Sequence, residues 1–297
     1  MKINKKLIAV SGGPDSMFLL NWCINTYGSQ NLIVASVNYK TRTESDSEIE
    51  LVKKYCSENN VILEVFECFF ALNKGNFENW AREQRYEFFK QIYFKYNCDL
   101  LILGHHKDDF IETAQMQLES KRFPVFFGIK STNLLKNMNI YRPFVNKYFK
   151  DEILSKVREQ NIPFCVDQSN FDIKFKRNQF RKNNSFWTKE QKQDFYLKII
   201  KINDDLNLQN KKIDIEYINW TNTDFSQDFF AKTVHQDRLM YKYIHNFFEN
   251  IKLSSKKIVS ILQWYLSNNR TSTYLLKKDI KIRKKSGKLL NKFFNLK

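Results

Sequence analysis

The sequence predicts an α/β domain, with a parallel sheet covered by helices on both faces, followed by a smaller, mostly helical, basic domain. Three observations predict this architecture. Short apolar segments alternate with amphipathic ones over about the first 120 residues, which is the pattern of strand–helix repeats. Unusual polar loops follow two of the apolar segments, and the basic residues are concentrated towards the C-terminal end. We place the domain boundary between residues 1–184 and 185–297.

The elements of the first domain follow from hydrophobic periodicity. Short apolar runs predict four strands, at residues 7–10, 32–37, 61–66 and 99–103. Apolar residues at helical spacing predict five helices, at residues 15–27, 44–60, 76–96, 109–118 and 147–160. Regularity weakens at 121–139, and beyond about residue 183 the pattern is mostly helical. Ligands of parallel sheets bind at the carboxyl ends of the strands, where the loops 11–16 and 104–109 are expected.

The composition excludes several classes of protein. With 297 residues, of which 42% are hydrophobic, the chain can bury a sizeable core, which excludes wholesale disorder. No run approaches 18 apolar residues, so we expect no transmembrane helix. The cysteines are odd in number and form no CxxC pair: Cys23, Cys56, Cys68, Cys98 and Cys165. This usage favours free thiols and a cytoplasmic location over a disulfide framework or a metal clip.

The charge distribution predicts a polyanionic partner. The net charge is +17, and residues 1–169 carry 22 Lys and Arg against 20 Asp and Glu. Residues 170–297 carry 27 against 12, so nearly all the excess lies in the second part. A genome-wide bias towards lysine is the alternative explanation, but it should enrich both parts alike. We therefore expect the C-terminal domain to bind nucleic acid.

The loop after the first predicted strand has the composition of a phosphate site. Its sequence is Ser11-Gly12-Gly13-Pro14-Asp15-Ser16. The glycines can adopt conformations that turn backbone N–H groups towards an anion, and the N-terminus of the next helix would point at the same place. The loop is neither a Walker loop nor a GxGxxG fingerprint. The alternative is a plain strand-to-helix turn with Ser or Asp as the N-cap.

The same six residues resemble the SGGxDS signature of the PP-loop ATP pyrophosphatases, which cleave ATP between the α and β phosphates. The chain also resembles one family of that class, the tRNA(Ile)-lysidine synthetases. The similar blocks occur in the family's order, at residues 37–46, 79–89, 104–113, 141–144 and 167–181. The resemblance covers residues 6–182 and implies that Ser11, Gly12, Gly13, Pro14, Asp15 and Ser16 bind ATP.

A dense cluster of ionisable residues follows the fourth predicted strand: His105, His106, Asp108, Asp109 and Glu112. A carboxylate beside ATP phosphates needs a cation, so Asp15 and Asp109 are the candidate Mg²⁺ ligands. Glu112 lies one turn further on the same helix face, and the resemblance assigns this position to the incoming lysine. His105 is the candidate for stabilising charge at the α-phosphate. A zinc site and, for Glu112, a solvated helix charge are the alternatives.

Two further groups of basic residues complete the predicted site. Arg82 is expected near the base or the adenylate, and Tyr86 lies one helical turn away on the same face. Arg177, Asn178 and Arg181 follow a Ser-Asn turn, and the two arginines are spaced to clamp an RNA phosphate. The alternatives are ordinary surface charges and the general basicity of the C-terminal part. The aromatic residues of that part are expected to form a core rather than stacking platforms.

The resemblance implies the ATP-dependent ligation of L-lysine to the wobble cytidine of a tRNA(Ile) with a CAU anticodon. An adenylated cytidine would be the intermediate, and pyrophosphate and AMP the other products. Two alternatives stay open: another PP-loop enzyme of the thiolation or NAD-synthetase type, and a non-catalytic basic RNA-binding protein. The chain departs from the family pattern at Ser36, Tyr39, Phe110 and residues 121–124. These departures affect the expected geometry of base and substrate recognition and not the expected reaction. The oligomeric state is not predicted.

Overall fold

A computed structural model describes residues 4–40, 44–70, 77–120, 124–165, 176–248 and 251–290. Parts of three predicted motifs, at 41–43, 121–123 and 167–175, lie outside these ranges. The chain forms two compact units, Met1–Asn203 and Asp204–Lys297. This division falls after the boundary at residues 184/185, which stays a prediction. Within the described ranges, no helix has the length and apolar character needed to cross a membrane.

The first unit is built on a six-stranded sheet with the order β3-β2-β1-β4-β6-β5. Its strands are β1 (Lys5–Ala9), β2 (Leu32–Asn38), β3 (Ile62–Glu67), β4 (Cys98–Ile102), β5 (Thr132–Leu135) and β6 (Met138–Tyr141). All neighbours are parallel except β5 and β6. The chain proceeds from β1 to one side and then returns to the other, so the strand order reverses between β1 and β4. That reversal is where parallel sheets open a crevice for ligands.

Helices cover both faces of this sheet, which confirms the predicted fold class. The helices of this unit are α1 (Pro14–Tyr27), α2 (Glu44–Glu58), α3 (Phe77–Lys95), α4 (Lys107–Glu119), α5 (Lys150–Glu159), α6 (Lys176–Asn184) and the start of α7 (Lys189–Asn222), with a 3-10 turn at Ser29–Asn31. Successive residues of a strand point to opposite faces. Ile8 therefore packs in one core with Leu20 of α1, and Leu7 packs in another with Phe89 of α3.

The hairpin of β5 and β6 was not predicted. Each strand has four residues and contains asparagine, so neither gives a strong apolar pattern. Lys136 and Asn137 form the two-residue turn with φ of 50° and 65°, the left-handed pair that hairpin turns require. Because β6 pairs in parallel with β4, the hairpin extends the sheet beyond the switch point and fixes the segment that leads to Phe144.

The second unit is mostly helical, as predicted, and also contains a three-stranded antiparallel sheet. Besides the end of α7, its elements are α8 (Gln227–Phe230), α9 (Gln236–Phe247), α10 (Ser255–Leu266), β7 (Ser272–Lys277), β8 (Ile280–Lys285) and β9 (Lys288–Leu289). Trp220, Phe230, Tyr243 and Tyr265 are fully buried together. These residues confirm that aromatic side chains build a core here.

One residue of the basic C-terminal segment has a structural role. Lys284 is 1% exposed on the inner side of β8. Its Nζ donates to the carbonyl oxygens of Trp264 and Tyr265 at 2.8 and 2.9 Å, at the C-terminal end of α10. Burial, followed by repulsion from Arg270, lowers the pKa of Lys284. The lysine therefore caps this helix and is not part of the basic surface.

Candidate active site

The two polar loops meet at the switch point of the sheet. One follows β1 and the other follows β4, which is the direct neighbour of β1. Gly104 lets them approach closely, because a Cβ atom there would lie 3.1 Å from the backbone oxygen of Asp15. A side chain at this position would push α1 away from the second loop. The sheet thus brings the phosphate-type loop and the acidic cluster together, as their positions in the sequence predicted.

The first loop forms a turn held by its own hydroxyl groups. Ser11 N donates to Ser16 Oγ at 3.1 Å, and Ser16 Oγ donates to Gly13 O at 2.9 Å. Gly12 has a φ of +84°, and a Cβ atom there would lie 3.1 Å from the backbone oxygen of Glu48. This conformation strongly favours glycine. Gly13 has an ordinary φ of −74°, so only one of the two glycines supplies the left-handed turn.

The start of α1 shows whether a Ser or Asp side chain caps the helix, as expected for a plain strand-to-helix turn, or leaves its N-terminus open to phosphate. The N-cap is Gly13, Pro14 occupies the first turn, and no side chain caps the helix. The alternative in which Ser or Asp serves as the N-cap is therefore wrong. Unpaired N–H groups of a helix N-terminus attract anions. The loop and this terminus together form a site suited to phosphate.

A cavity of about 250 Å³ opens beside this loop. Its walls bring together Ser11, Gly13, Asp15 and Ser16 of the first loop, His105 of the second, and Arg82 of α3. Apolar residues and rings complete the lining: Ala9, Val10, Ala35, Val37, Tyr39, Tyr86, Phe89 and Leu103. Arg82 lies over the Tyr86 ring with 4.8 Å to the centroid, which confirms that they share a helix face. Gly12, Pro14, Asp109 and Glu112 do not line the described cavity.

His106 is the centre of a buried charge network, a role that the sequence did not reveal. Its Nε2 lies 3.8 Å from Asp15 Oδ1 and 3.5 Å from Asp109 Oδ2. Its Nδ1 lies 3.4 Å from Asp108 Oδ2. Burial alone would lower the pKa of His106, but the carboxylates of Asp109, Asp108 and Asp15 raise it to about 9. The imidazole is therefore a cation at neutral pH, placed among three acidic residues.

His106 also explains where α4 begins. The helix starts at Lys107, two residues before the predicted start at Asp109, and His106 is its N-cap. Asp109 Oδ2 accepts a hydrogen bond from His106 N at 3.0 Å. An acidic side chain in the first turn of a helix also interacts favourably with the helix dipole. Asp109 is thus a helix-stabilising residue as well as a candidate ligand.

Two lysines that sequence analysis missed hold the acidic residues. Lys150 Nζ donates to Asp15 Oδ2 at 2.5 Å, and Lys192 Nζ lies 2.9 Å from Asp108 Oδ1. Burial would raise the pKa of Asp108, but its contacts with His106, Lys150 N and Lys192 hold it well below the ordinary range. The position of Lys150 could have indicated its role. It is the first residue of α5, where the helix dipole disfavours a cation.

Glu112 and Arg181, which we had assigned to different substrates, are paired. Glu112 is 2% exposed, and Arg181 Nε donates to its Oε1 at 2.9 Å. The same guanidinium lies 3.7 Å from Asp109 Oδ1. The structure therefore brings the expected amine site and one of the expected RNA contacts together. Arg177 and Asn178 lie in α6, but their side chains are outside the described part of the structure.

Asp15 and Asp109 are the candidate metal ligands. They fit a magnesium ion that also binds phosphate better than an ion that is held by protein side chains alone. Among the residues described, no three His, Cys, Asp or Glu side chains form a metal-binding group. Asp15 Oδ1 is buried and has no hydrogen-bond partner within the described ranges. Magnesium commonly takes one or two carboxylates and completes its shell with phosphates and water. Asp15 is therefore the better supported of the two candidate ligands.

Comparison with known proteins is consistent with this geometry. Residues 1–184 match the family model described as a PP-loop domain. The U34-tRNA thiolase NcsA from Methanococcus maripaludis has a similar fold, with a TM-score of 0.56 and 18% identity over 68% of this chain and 72% of that chain. The fold and site thus define a PP-loop protein.

Curated relatives give a narrower assignment. A tRNA(Ile)-lysidine synthase from Mycoplasmopsis pulmonis is 39% identical, over 92% of this chain and 94% of its own length. Those from Mesomycoplasma hyopneumoniae and Malacoplasma penetrans are 37% and 33% identical, each over 97% of this chain and at least 96% of its own length. The chain belongs to the tRNA(Ile)-lysidine synthase family. The similarity also extends through the C-terminal part, where no motif had been recognised.

Proposed function

We propose that this protein uses ATP to join L-lysine to the wobble cytidine of a tRNA(Ile) with a CAU anticodon. The observation that carries the proposal is the cavity, which unites the Ser11–Ser16 turn, Arg82 and His105. The buried carboxylate of Glu112 lies one turn along α4 from Asp109. Family membership over nearly the whole chain supports the same activity. Because tRNA, ATP and free lysine share the cytoplasm, we propose that compartment for the protein.

The first step activates the base. The C2 carbonyl oxygen of cytidine attacks the α-phosphorus of ATP, the bond to the β-phosphate breaks, and pyrophosphate leaves. Ser11, Gly12, Gly13 and Ser16 hold the departing phosphates through backbone N–H and hydroxyl groups, with Pro14 fixing the start of α1. His105 and Arg82 stabilise the charge that develops at the α-phosphate. Magnesium, held by Asp15 with Asp109 nearby, would neutralise the phosphate oxygens.

The second step joins the amino acid. The side-chain amine of lysine attacks C2 of the activated base, the C2–O bond breaks, and AMP leaves with that oxygen. Glu112 binds the ammonium form of lysine on arrival, and Asp109 lies on the same face of α4. Arg181 now occupies this carboxylate, so lysine exchanges with a guanidinium. Proton loss from the ammonium precedes the attack, because only the neutral amine is a nucleophile.

The second unit offers a surface for the RNA backbone. Residues Lys281, Arg283 and Lys285 alternate along β8 with inward-facing residues and are exposed on one side of the sheet. Lys288 lies directly opposite Lys285, and its Nζ donates to Asp224 Oδ2 at 2.9 Å. Such a basic sheet face can contact phosphates without reading sequence. Arg177, Asn178 and Arg181 stay the candidate contacts in the first unit.

The cysteines do not favour the thiolation alternative. Four of the five are buried, and none is among the described residues that line the cavity. Burial raises the pKa of Cys56 to about 12, and burial, followed by the charge of Asp99, raises that of Cys98 to about 11. A sulfur nucleophile needs a lowered pKa, so that the thiolate forms at neutral pH. No thiol chemistry is therefore part of the proposal.

The test is transfer of labelled lysine to RNA. The full chain is incubated with ATP, Mg²⁺, labelled lysine and a tRNA(Ile) transcript with a CAU anticodon. We expect acid-insoluble label on the RNA, with release of pyrophosphate and AMP in equal amounts. A transcript with uridine at the wobble position is the matched control and should accept no lysine. Pyrophosphate release without label on the RNA, or label that is independent of ATP, would contradict the proposal.

A further inference from the structure

Four aromatic side chains form a cluster next to the cavity, and neither mechanism step uses them. Tyr39 follows β2, Phe70 follows β3, and Phe77 and Trp80 lie in the first turn of α3. Their ring centroids lie between 5.1 and 6.0 Å apart in five pairwise contacts. We call these four residues the rim cluster.

The rim cluster is not part of a hydrophobic core. All four side chains are only partly buried, and none belongs to a core cluster of the described residues. The neighbouring Phe69 is 74% exposed. By contrast, Tyr86 and Phe89, which also lie in α3, are only 4% and 3% exposed. The four rings therefore retain some accessible surface that a partner can cover.

The position of Tyr39 is fixed firmly. Its hydroxyl group donates to Ala81 O at 3.0 Å, which ties the end of β2 to α3. Lys40, with a φ of 50°, donates through its backbone N–H to Asn38 Oδ1 at 2.9 Å. Asn38 in turn donates to Asp46 Oδ1 at 2.7 Å. The ring is therefore held before any ligand arrives, which is the condition for a binding platform.

The rings of the cluster meet edge to face or at a tilt. The five pairs have interplanar angles between 36° and 78°, so no two of these rings are stacked face to face. Tyr39 belongs to both the cluster and the cavity wall, which also contains Arg82 and Arg85. A flat ligand on the cluster would thus have one edge at the cavity and cations beside it. Unpaired bases are bound on such aromatic platforms.

We infer that the rim cluster is the stacking platform for the target nucleobase of the RNA, extruded from its loop beside the bound nucleotide. This inference rests on the proposed function, since that function requires an unstacked base near the α-phosphate. The adenine of ATP is the other flat group, but the cavity already contains its own rings, Tyr86 and Phe89, between the sheet and α3. The rim cluster lies at the border of that cavity, where a base enters from outside. Stacking offsets the cost of taking a base out of its loop.

The test uses Trp80→Leu, with Phe94→Leu as the matched control. Phe94 lies on the same helix and is 50% exposed, but it lines neither the cavity nor the cluster. We expect Trp80→Leu to raise KM for tRNA about 10-fold, the loss of one stacking contact. KM for ATP and for lysine should stay unchanged, and Trp80→Phe should restore most of the tRNA effect. Phe94→Leu should match the wild type.

A second readout does not depend on catalysis. A tRNA carrying a fluorescent cytidine analogue at the wobble position is titrated with protein in the absence of ATP. We expect quenching on binding to the wild type and Phe94→Leu, and bound but unquenched RNA with Trp80→Leu. Phe70→Leu, which removes a different member of the cluster, should behave like Trp80→Leu and covers the case in which that variant does not fold.

Three outcomes would overturn the inference. A raised KM for ATP with a normal KM for tRNA would make the cluster an adenine platform. Equal quenching by the wild type and both cluster variants would make it a packing feature. Quenching by an analogue at a neighbouring position, and not at the wobble position, would assign the platform to another base. Absence of lysine transfer by the wild type, with quenching intact, would contradict the proposed function and leave the platform standing.

Discussion

At the scale of single residues, the pair formed by Glu112 and Arg181 offers the most direct test of the proposed lysine site. Glu112 is almost wholly buried, and the guanidinium is its cation in this structure. We expect Glu112→Gln to raise KM for lysine roughly 10- to 150-fold, from the loss of about 1.5–3 kcal/mol in a charge-assisted contact. Steady-state kinetics with varied lysine and varied ATP measure the effect.

The control for this prediction is Glu119→Gln, at the exposed end of the same helix. It should leave both KM values unchanged. A Glu112→Gln enzyme with normal KM for lysine and altered KM for ATP would assign Glu112 to the nucleotide site instead.

Asp15 and Asp109 are predicted to act before lysine does. We expect Asp15→Asn and Asp109→Asn each to abolish most pyrophosphate release, because the phosphates lose the carboxylates that position magnesium. Binding of tRNA should survive in both variants. Titration of Mg²⁺ against pyrophosphate release separates a weakened metal site from misfolding, and normal release by both variants would rule out the metal assignment.

His106 predicts a specific dependence of stability on pH. Its pKa rises from 6.5 to about 9 on folding, so the folded state holds the proton more tightly. The resulting stability, about 3 kcal/mol for this shift, is fully present below pH 6.5 and is lost as pH rises through 9. Urea unfolding of the wild type and His106→Gln should differ most at pH 6 and least near pH 10. A gap that widens with pH would contradict the charged imidazole.

At the scale of elements, the turn Ser11–Ser16 between β1 and α1 allows its two glycines to be tested against each other. Gly12→Ala should lower the free energy of unfolding by about 1–2 kcal/mol, because its φ is +84°. Gly13→Ala should fold normally, since its φ is ordinary and the nearest atom to a new Cβ is 3.8 Å away. The added methyl group faces the cavity, however, so KM for ATP should rise. Thermal melts and ATP kinetics on both variants check this contrast.

The elements that sequence analysis recovered are those with strong apolar patterns. The strands β2 and β4 are short, nearly unbroken apolar runs, and in β1 the apolar residues follow Lys5 and Lys6. The loops that follow β1 and β4 line the candidate cavity. The hairpin of β5 and β6 was missed because each strand has only four residues and is interrupted by an asparagine. The strand β8 was seen only as a run of basic residues, since Lys and Arg interrupt its apolar positions.

Some residues of the candidate site could likewise be predicted from the sequence, and others could not. Residues that are adjacent in sequence to a motif, such as Ser11, Asp15 and His105, could be found from the motif. Lys150 and Lys192 could not, because their roles arise only when distant helices pack against the acidic cluster. The pairing of Arg181 with Glu112 joins residues 69 positions apart, and no local spacing encodes such a contact.

At the scale of the whole molecule, the basic excess predicts a strong dependence of RNA binding on salt. With about 4–6 phosphate contacts, the slope of log affinity against log salt concentration should lie near −3 to −5, using about 0.7–0.9 per phosphate. Filter binding across a salt series measures the slope. Neutralising the outward residues of β8 with Lys281→Gln, Arg283→Gln and Lys285→Gln should make it shallower by about 2–3. A slope near −1 for the wild type would mean that the excess charge is only a solvated surface.

Lys284 is the matched control for that experiment, because it lies on the opposite side of the same strand. Replacing it with methionine should leave the salt slope unchanged while lowering the melting temperature, since four backbone and side-chain acceptors near the end of α10 lose their donor. If Lys284→Met instead weakened RNA binding at an unchanged melting temperature, the division between the two sides of the sheet would be wrong.

The ion pair between Arg181 and Glu112 also limits how the enzyme can choose its amino acid. A carboxylate that already accepts a guanidinium at 2.9 Å offers no chemical preference for an ammonium group over the side chain of arginine. Discrimination between these two amino acids must therefore come from shape, because an ammonium group is narrower than a guanidinium. The selectivity of this site would thus depend on the space around Glu112. The negative charge of Glu112 would require only that a cation, either Arg181 or the substrate, lies beside it.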